Sequence, residues 1–193
     1  MKSQKLSTET IALGAILTAI VIVLQWLGGM VTVFGPFASA VALVPIVIGA
    51  AMCGPIVGAW LGMVFAVVVL LLPSTSFFWA FSVHGTFITV IVKGVACGLV
   101  AGLIYKALEK KSFYLAIIVA ALCCPVVNTG LFLLGCSLFF LPSVAEMAKA
   151  AESTLTGMEF FWVMATANFL TELLTTAILA PMLVRILKIK KKA

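Results

Sequence analysis

Apolar residues dominate this chain, in long runs that few polar positions interrupt. Several runs approach or exceed the roughly 20 residues that an α-helix needs to cross a bilayer. The pattern therefore predicts an all-α integral membrane protein, folded as a single bundle of six transmembrane helices that occupies residues 1–193 as one domain. The predicted helices cover approximately residues 10–30, 39–53, 55–72, 85–105, 113–141 and 159–186.

The amino-acid composition excludes a water-soluble catalytic domain. The chain is 64% hydrophobic and only 9% charged, which soluble domains of this size do not match. Its cysteines lie in apolar runs, where a free thiol packs as a small hydrophobe. One histidine and no paired CxxC motif argue against zinc, and no nucleophile–base pair or Walker motif is present. We therefore expect no metal, no cofactor and no catalytic residue.

Basic residues indicate how the helices are oriented. They collect at the N-terminus, at 106–111 and at the C-terminus. An even number of spans places all three on one side, which the positive-inside rule makes cytoplasmic. The first apolar run exceeds the length of a signal-peptide core and is read as a retained helix. The connections 31–38, 73–83 and 142–158 then lie outside, and the C-terminal lysines are a topology signal rather than a nucleic-acid site.

Small residues recur at four-residue spacing and predict close helix packing. GxxxGxxxG ridges begin at Gly54 and at Gly94, and glycines at such spacing let two helix backbones approach each other. Helix one carries Ala15 and Ala19, also four residues apart. This smooth face serves either packing within the bundle or docking of another membrane protein.

Four polar side chains fall at membrane depth in the predicted bundle. Lys93 lies near the middle of helix four, Asn128 in helix five, and Asn168 and Glu172 on one face of helix six. A charge at this depth costs at least ~2.5 kcal/mol on insertion scales. One reading is a closed Lys93–Glu172 pair with the amides as interhelical glue. The other is a pocket open to the outside, in which Lys93 faces a substrate anion and the amides orient the substrate.

Two further candidates lie near the predicted outer boundary. The 73–83 stretch is rich in aromatic residues, which either anchor at the membrane interface or cover a cavity. If the stretch covers a cavity, we expect Trp79 to contact the substrate. His84 is expected either to lie at the membrane interface or to anchor the covering segment. Trp79 and His84 complete the predicted substrate-binding set.

Taken together, these features resemble the S components of energy-coupling factor (ECF) transporters. The opening TETIALGAILTAI, with Ala15 and Ala19, and the run PVVNTGLFLLG at 125–135 carry the resemblance. It implies a six-helix substrate-binding subunit without ATPase activity, in the plasma membrane of a prokaryote. It also implies a transmembrane coupling subunit, contacted through Ala15 and Ala19, and two cytoplasmic ATP-binding subunits as partners.

The resemblance implies a small water-soluble vitamin as substrate. Lys93 favours a carboxylate, which makes pantothenate the first candidate, whereas the aromatic stretch favours a flavin or a pterin. Folate, biotin, riboflavin and cobalamin stay open. Two other classes are a stand-alone secondary transporter, which would show inverted repeats, and an intramembrane enzyme, which would need a cluster of Glu and His.

Overall fold

The computed structural model describes residues 8–30, 35–155 and 157–192, and this part of the chain is all-helical. The predicted all-α class is therefore confirmed. Short 3-10 and π segments connect some of the helices. The α-helices of the described residues are α1 (Thr8–Met30), α2 (Gly35–Cys53), α3 (Pro55–Leu71), α4 (Ser76–Phe81), α5 (Val83–Leu108), α6 (Phe113–Gly135), α7 (Val144–Ala150) and α8 (Met158–Lys192).

The described helices supply four or five candidate membrane spans. Stretches within α1, α5 and α8, and the run from α6 through α7, are long and apolar enough to cross a bilayer. A fifth candidate is α3 together with Pro73–Phe81, a pair bent by 74°. The apolar part of α2, Val41–Cys53, is shorter, about 20 Å at 1.5 Å per residue. The predicted count of six spans is therefore not confirmed.

The two glycine ridges pack against each other where α3 meets α5. A Cβ added to Gly58 would lie 2.5 Å from the carbonyl oxygen of Gly98, and Gly62 meets Gly94 in the same way. A Cβ on Gly102 would lie 2.6 Å from the Cα of Pro55. The backbones approach this closely because neither helix has side chains at these positions. The predicted close approach is present, and each ridge is the partner of the other.

Two apolar clusters hold the helices together. The first joins α1, α2, α3, α5 and α6, with Leu43, Leu61 and Ile117 fully buried. The second lies where α6, α7 and α8 meet and includes Met147 and Phe161. It gives α7, which lies in the predicted outer connection, a buried face against the bundle.

The sequence predicts an aromatic loop or a re-entrant turn over 73–83, and the structure makes most of this stretch helical rather than a loop. Leu72 is extended (φ −78°, ψ 145°) and is followed by a 3-10 turn, Pro73–Thr75, and then by α4. Proline disfavours the helical conformation in the residue before it, so α3 ends here. The bent pair has the form of a broken span or a re-entrant segment.

The other outer connections also differ from the expected limits. Residues 31–34 lie outside the described residues, and α2 begins at Gly35 rather than near residue 39. The Gly-Pro pair therefore opens a helix, where the missing N–H of proline costs nothing. Helix α6 ends at Gly135, before the expected 141, and a π turn (Cys136–Phe140) and a 3-10 turn (Leu141–Ser143) lead into α7.

Candidate functional site

A cavity of about 430 Å³ lies at one end of the bundle. Its walls come from the C-terminal halves of α1, α3 and α6 and from the N-terminal halves of α5 and α8, with Phe78 of α4 and Phe140 beside them. The volume falls within the range of roughly 300–1,000 Å³ that is common for small-molecule sites. Its polar lining consists of Gln25, Ser74, Thr75, Thr86, Thr89, Lys93, Asn128, Thr129 and Asn168.

Lys93 is the cation of this lining. Its ammonium lies 5.3 Å from the centre of the Phe132 ring, at cation–π distance. Within the part of the chain that the structure describes, no carboxylate lies at ion-pair distance from it. Glu172 is near enough for the two charges to attract each other. The closed Lys93–Glu172 pair is thus not formed, and the ammonium remains available to an anion in the cavity.

Glu172 is held by the two asparagines behind the cavity wall. The Asn128 amide nitrogen donates to both carboxylate oxygens, at 3.0 and 3.1 Å, and the Asn168 amide nitrogen donates to Oε1 at 2.8 Å. The Glu172 side chain is fully buried and does not line the cavity. The sequence predicted that these three residues share one zone of the membrane, and the structure brings them together as one hydrogen-bonded cluster.

The cavity wall also carries polar atoms that lack a partner. Among the described residues, four buried side-chain oxygens accept or donate no hydrogen bond: Oε1 of Gln25, Oγ1 of Thr89, Oδ1 of Asn128 and Oγ1 of Thr129. All four residues line the cavity. Buried polar groups in folded proteins are nearly always paired. These residues come from α1, α5 and α6, and their concentration around one cavity suits it to a polar molecule.

A protein-family model, "ECF transporter, substrate-specific component", matches residues 9–186 of this chain. The chain belongs to this family. The resemblance seen in the sequence is thereby confirmed. Neither the curated proteins nor the solved structures contain a significant match to the chain. As an S component, the protein is a substrate-binding transporter subunit rather than an enzyme, a multi-pass protein of the cell membrane that works with a coupling subunit and ATPases.

Ala15 and Ala19 of this S component lie on an exposed face of α1. The neighbouring positions turn inward: Gly14 approaches Val57, and the Thr18 hydroxyl donates to the Gly14 carbonyl at 2.8 Å. The two alanines therefore do not pack within the bundle. Docking of a second membrane protein on this face remains a prediction.

Trp79 and His84 do not line the cavity of the S component. The Trp79 indole N–H donates to the Leu70 carbonyl at 3.3 Å, and His84 is exposed near the start of α5. A contact of either residue with the substrate remains a prediction. The neighbour of Trp79, Phe78, does line the cavity and packs edge-to-face on Phe132 at 5.7 Å.

The sequence reasoning missed several residues of the cavity wall, above all Gln25, Thr89 and Thr129. Two signals could have found them. Gln25 is a lone amide in an otherwise apolar helix, and Thr89 precedes Lys93 by four residues and so shares its helix face.

Proposed function

We propose that this S component binds a small, water-soluble vitamin with a carboxylate, and that pantothenate is its substrate. The observation that carries the proposal is the position of Lys93, a partly buried ammonium on the cavity wall with an aromatic ring on one side. A cation at membrane depth is costly unless something anionic compensates it. Pantothenate supplies a carboxylate, together with hydroxyl and amide groups that match the polar lining.

The aromatic residues favour pantothenate over a flat ring system. Phe78 meets Phe132 and Phe140 edge-to-face, with interplanar angles of 82° and 79°. In each of these two pairs the edge of one ring packs against the face of the other, so the rings fill the space between them. A flavin or a pterin would be better served by an open aromatic face, and Trp79, the expected stacking residue, does not line the cavity.

We further propose that the cavity opens to the outside and that both termini are cytoplasmic. The cavity lies near the N-terminal half of α5, whereas Lys106, Lys110 and Lys111 follow at its other end. The positive-inside rule assigns the basic end to the cytoplasm. The substrate then enters from outside, and a coupling subunit docked on Ala15 and Ala19, with two ATPases, drives its release inward.

The test is to identify the molecule that the protein retains. Full-length protein would be purified in lipid nanodiscs from cells grown in rich medium, and the small molecules released on denaturation would be measured by mass spectrometry. Equilibrium binding of radiolabelled pantothenate, with biotin, folate and riboflavin as competitors, would follow. Pantothenate in the released fraction and saturable binding are expected. Retention of riboflavin or folate instead, with no pantothenate binding, would reject the proposed substrate.

A further inference from the structure

We infer that the cavity selects substrates that carry a hydrogen-bond donor in addition to their carboxylate, because Glu172 fixes the Asn128 amide with its oxygen toward the substrate. Asn128 would then be a specificity-determining residue, and Glu172, which does not line the cavity, would be a positioning residue. The inference rests on the proposed function and adds to it the polarity of one recognition contact.

The Asn128 amide has only one orientation that satisfies its neighbour. Its nitrogen donates to both oxygens of Glu172, and Asn168 donates to Oε1 of the same carboxylate. A carboxylate that accepts at both oxygens offers no proton. Turning the Asn128 amide would therefore place an oxygen against two oxygens. Because Asn128 and Glu172 are 1% and 0% exposed, bulk water does not relieve that repulsion.

The oxygen of the Asn128 amide is the atom that has no hydrogen-bond partner among the described residues. Asn128 lines the cavity, and its Oδ1 is a buried acceptor without a partner among the described residues. A buried acceptor of this kind discriminates strongly against a ligand that offers no donor, because the group then stays desolvated and unpaired. The hydroxyls of Thr89 and Thr129 can rotate to donate or accept, so they impose no such polarity.

Asn128 and Lys93 line the same cavity. Phe132, which lies beside the Lys93 ammonium, follows Asn128 by four residues on α6. Residues at that spacing lie on one face of a helix, one turn apart. The matching ligand is therefore a carboxylate that also carries an N–H or O–H group for the Asn128 oxygen.

The experiment measures the dissociation constants of pantothenate and of three analogues that each lack one donor: the 2-deoxy, the 4-deoxy and the N-methylamide compounds. Wild-type protein in nanodiscs should bind one of the three more weakly by about 5- to 150-fold, the usual consequence of stranding a buried acceptor. The readout is the ratio of each analogue's dissociation constant to that of pantothenate, which a general loss of stability does not change.

In Glu172→Gln the residue at 172 can donate, so the Asn128 amide is free to turn and the affinity ratio should fall toward one. Glu159→Gln, the same change at an exposed position on α8, should leave the ratio unchanged. The double variant Asn128→Asp, Glu172→Gln exchanges amide and carboxylate. It restores an acceptor toward the cavity and should restore the ratio, even if the negative charge moved to the cavity wall weakens its binding of all anions.

Three results decide the matter. Wild-type protein that binds pantothenate and all three analogues equally well would overturn the inference and leave the proposed function intact. A ratio that persists unchanged in Glu172→Gln would overturn the positioning role of Glu172. If wild-type protein does not bind pantothenate at all, the proposed function is rejected, and this inference with it. If Glu172→Gln does not fold, the test rests on the double variant Asn128→Asp, Glu172→Gln. Its ratios of dissociation constants must then match those of the wild type, and a lost ratio would overturn the inference.

Discussion

The ammonium of Lys93 lies 5.3 Å from the centre of the Phe132 ring, while the nearby carboxylate of Glu172 is bound by two asparagine amides. The cation and the anion thus have separate partners, although a direct pair was one of the two readings of the sequence. Donors to a carboxylate and an aromatic face beside an ammonium each offset part of the cost of burial. This division leaves the ammonium on the cavity wall.

The glycine ridges make a prediction about stability. Gly62→Ala places a methyl group against the backbone of Gly94, where nothing flexible can move aside. We expect a loss of about 1–3 kcal/mol in the free energy of unfolding, the usual cost of overpacking. The measurement is thermal or denaturant unfolding in detergent. Gly130→Ala is the matched control, since a Cβ there meets nothing within 4 Å, and it should be neutral or slightly stabilising. Equal behaviour of the two variants would refute the close contact.

The exposed alanines make a prediction about coupling. Ala15→Trp with Ala19→Trp should abolish uptake by cells while leaving substrate binding by the isolated subunit intact, because bulky side chains keep a partner helix away. Ala177→Trp, at an exposed position on α8, is the control and should transport normally. The measurements are uptake of labelled substrate and co-purification of the ATPases. Normal uptake by the double tryptophan variant would remove the docking role from this face.

The aromatic helix α4 makes a prediction about conformational change. Its Phe78 lines the cavity and contacts Phe132 beside Lys93, so a ligand there should shift α4. In a protein whose other tryptophans are replaced by phenylalanine, the fluorescence of Trp79 should respond to substrate. In a control protein that keeps only Trp60 of α3, whose indole N–H donates to the Thr18 hydroxyl, the fluorescence should not respond to substrate. A silent Trp79 in a protein that binds substrate would argue against a covering role.

Much of the fold follows from the sequence because bilayer-length apolar runs and glycine–proline breaks are local signals. The two glycine ridges can also be recognised in the sequence, but the pattern predicts only that each helix has a smooth face and not which helix packs against it. For the same reason, the sequence does not predict what the 73–83 stretch contacts. Proline at 73 predicts a break there, yet α4 is held by contacts of Phe78 with Phe132 and Phe140, which are far away in the chain.

Only part of the candidate site could be predicted from the sequence. Lys93, Asn128 and Asn168 could be predicted because a strongly polar group in an apolar helix needs a partner. Threonines give a weaker signal, since their hydroxyls often bond within their own helix, as Thr86 does to the Ser82 carbonyl at 2.7 Å. The place of Glu172 behind the cavity wall was beyond the sequence, because which residue faces the cavity and which stands behind it depends on helix rotation.

We predict that changes at Glu172 and at Lys93 have separable effects. Glu172→Gln removes the charge that orders the amides, and Lys93→Met removes the charge that meets the substrate. If the two residues formed only a structural pair, the double neutral variant would recover both stability and binding. We expect it to fold and still bind poorly, as judged by its melting temperature and by its affinity for labelled pantothenate. Lys93→Arg should restore binding only in part, because a planar guanidinium does not replace a compact ammonium.

The contact between Lys93 and the substrate is tested by the affinity of Lys93→Met for pantothenate in nanodiscs, measured beside Lys106→Met, the same change at the exposed end of α5. A charge-assisted contact contributes roughly 1.5–3 kcal/mol, so Lys93→Met should bind about 10- to 100-fold more weakly, while Lys106→Met should bind as the wild type does. Wild-type affinity in a well-folded Lys93→Met protein would contradict the account and leave the lysine of α5 without a role in substrate binding.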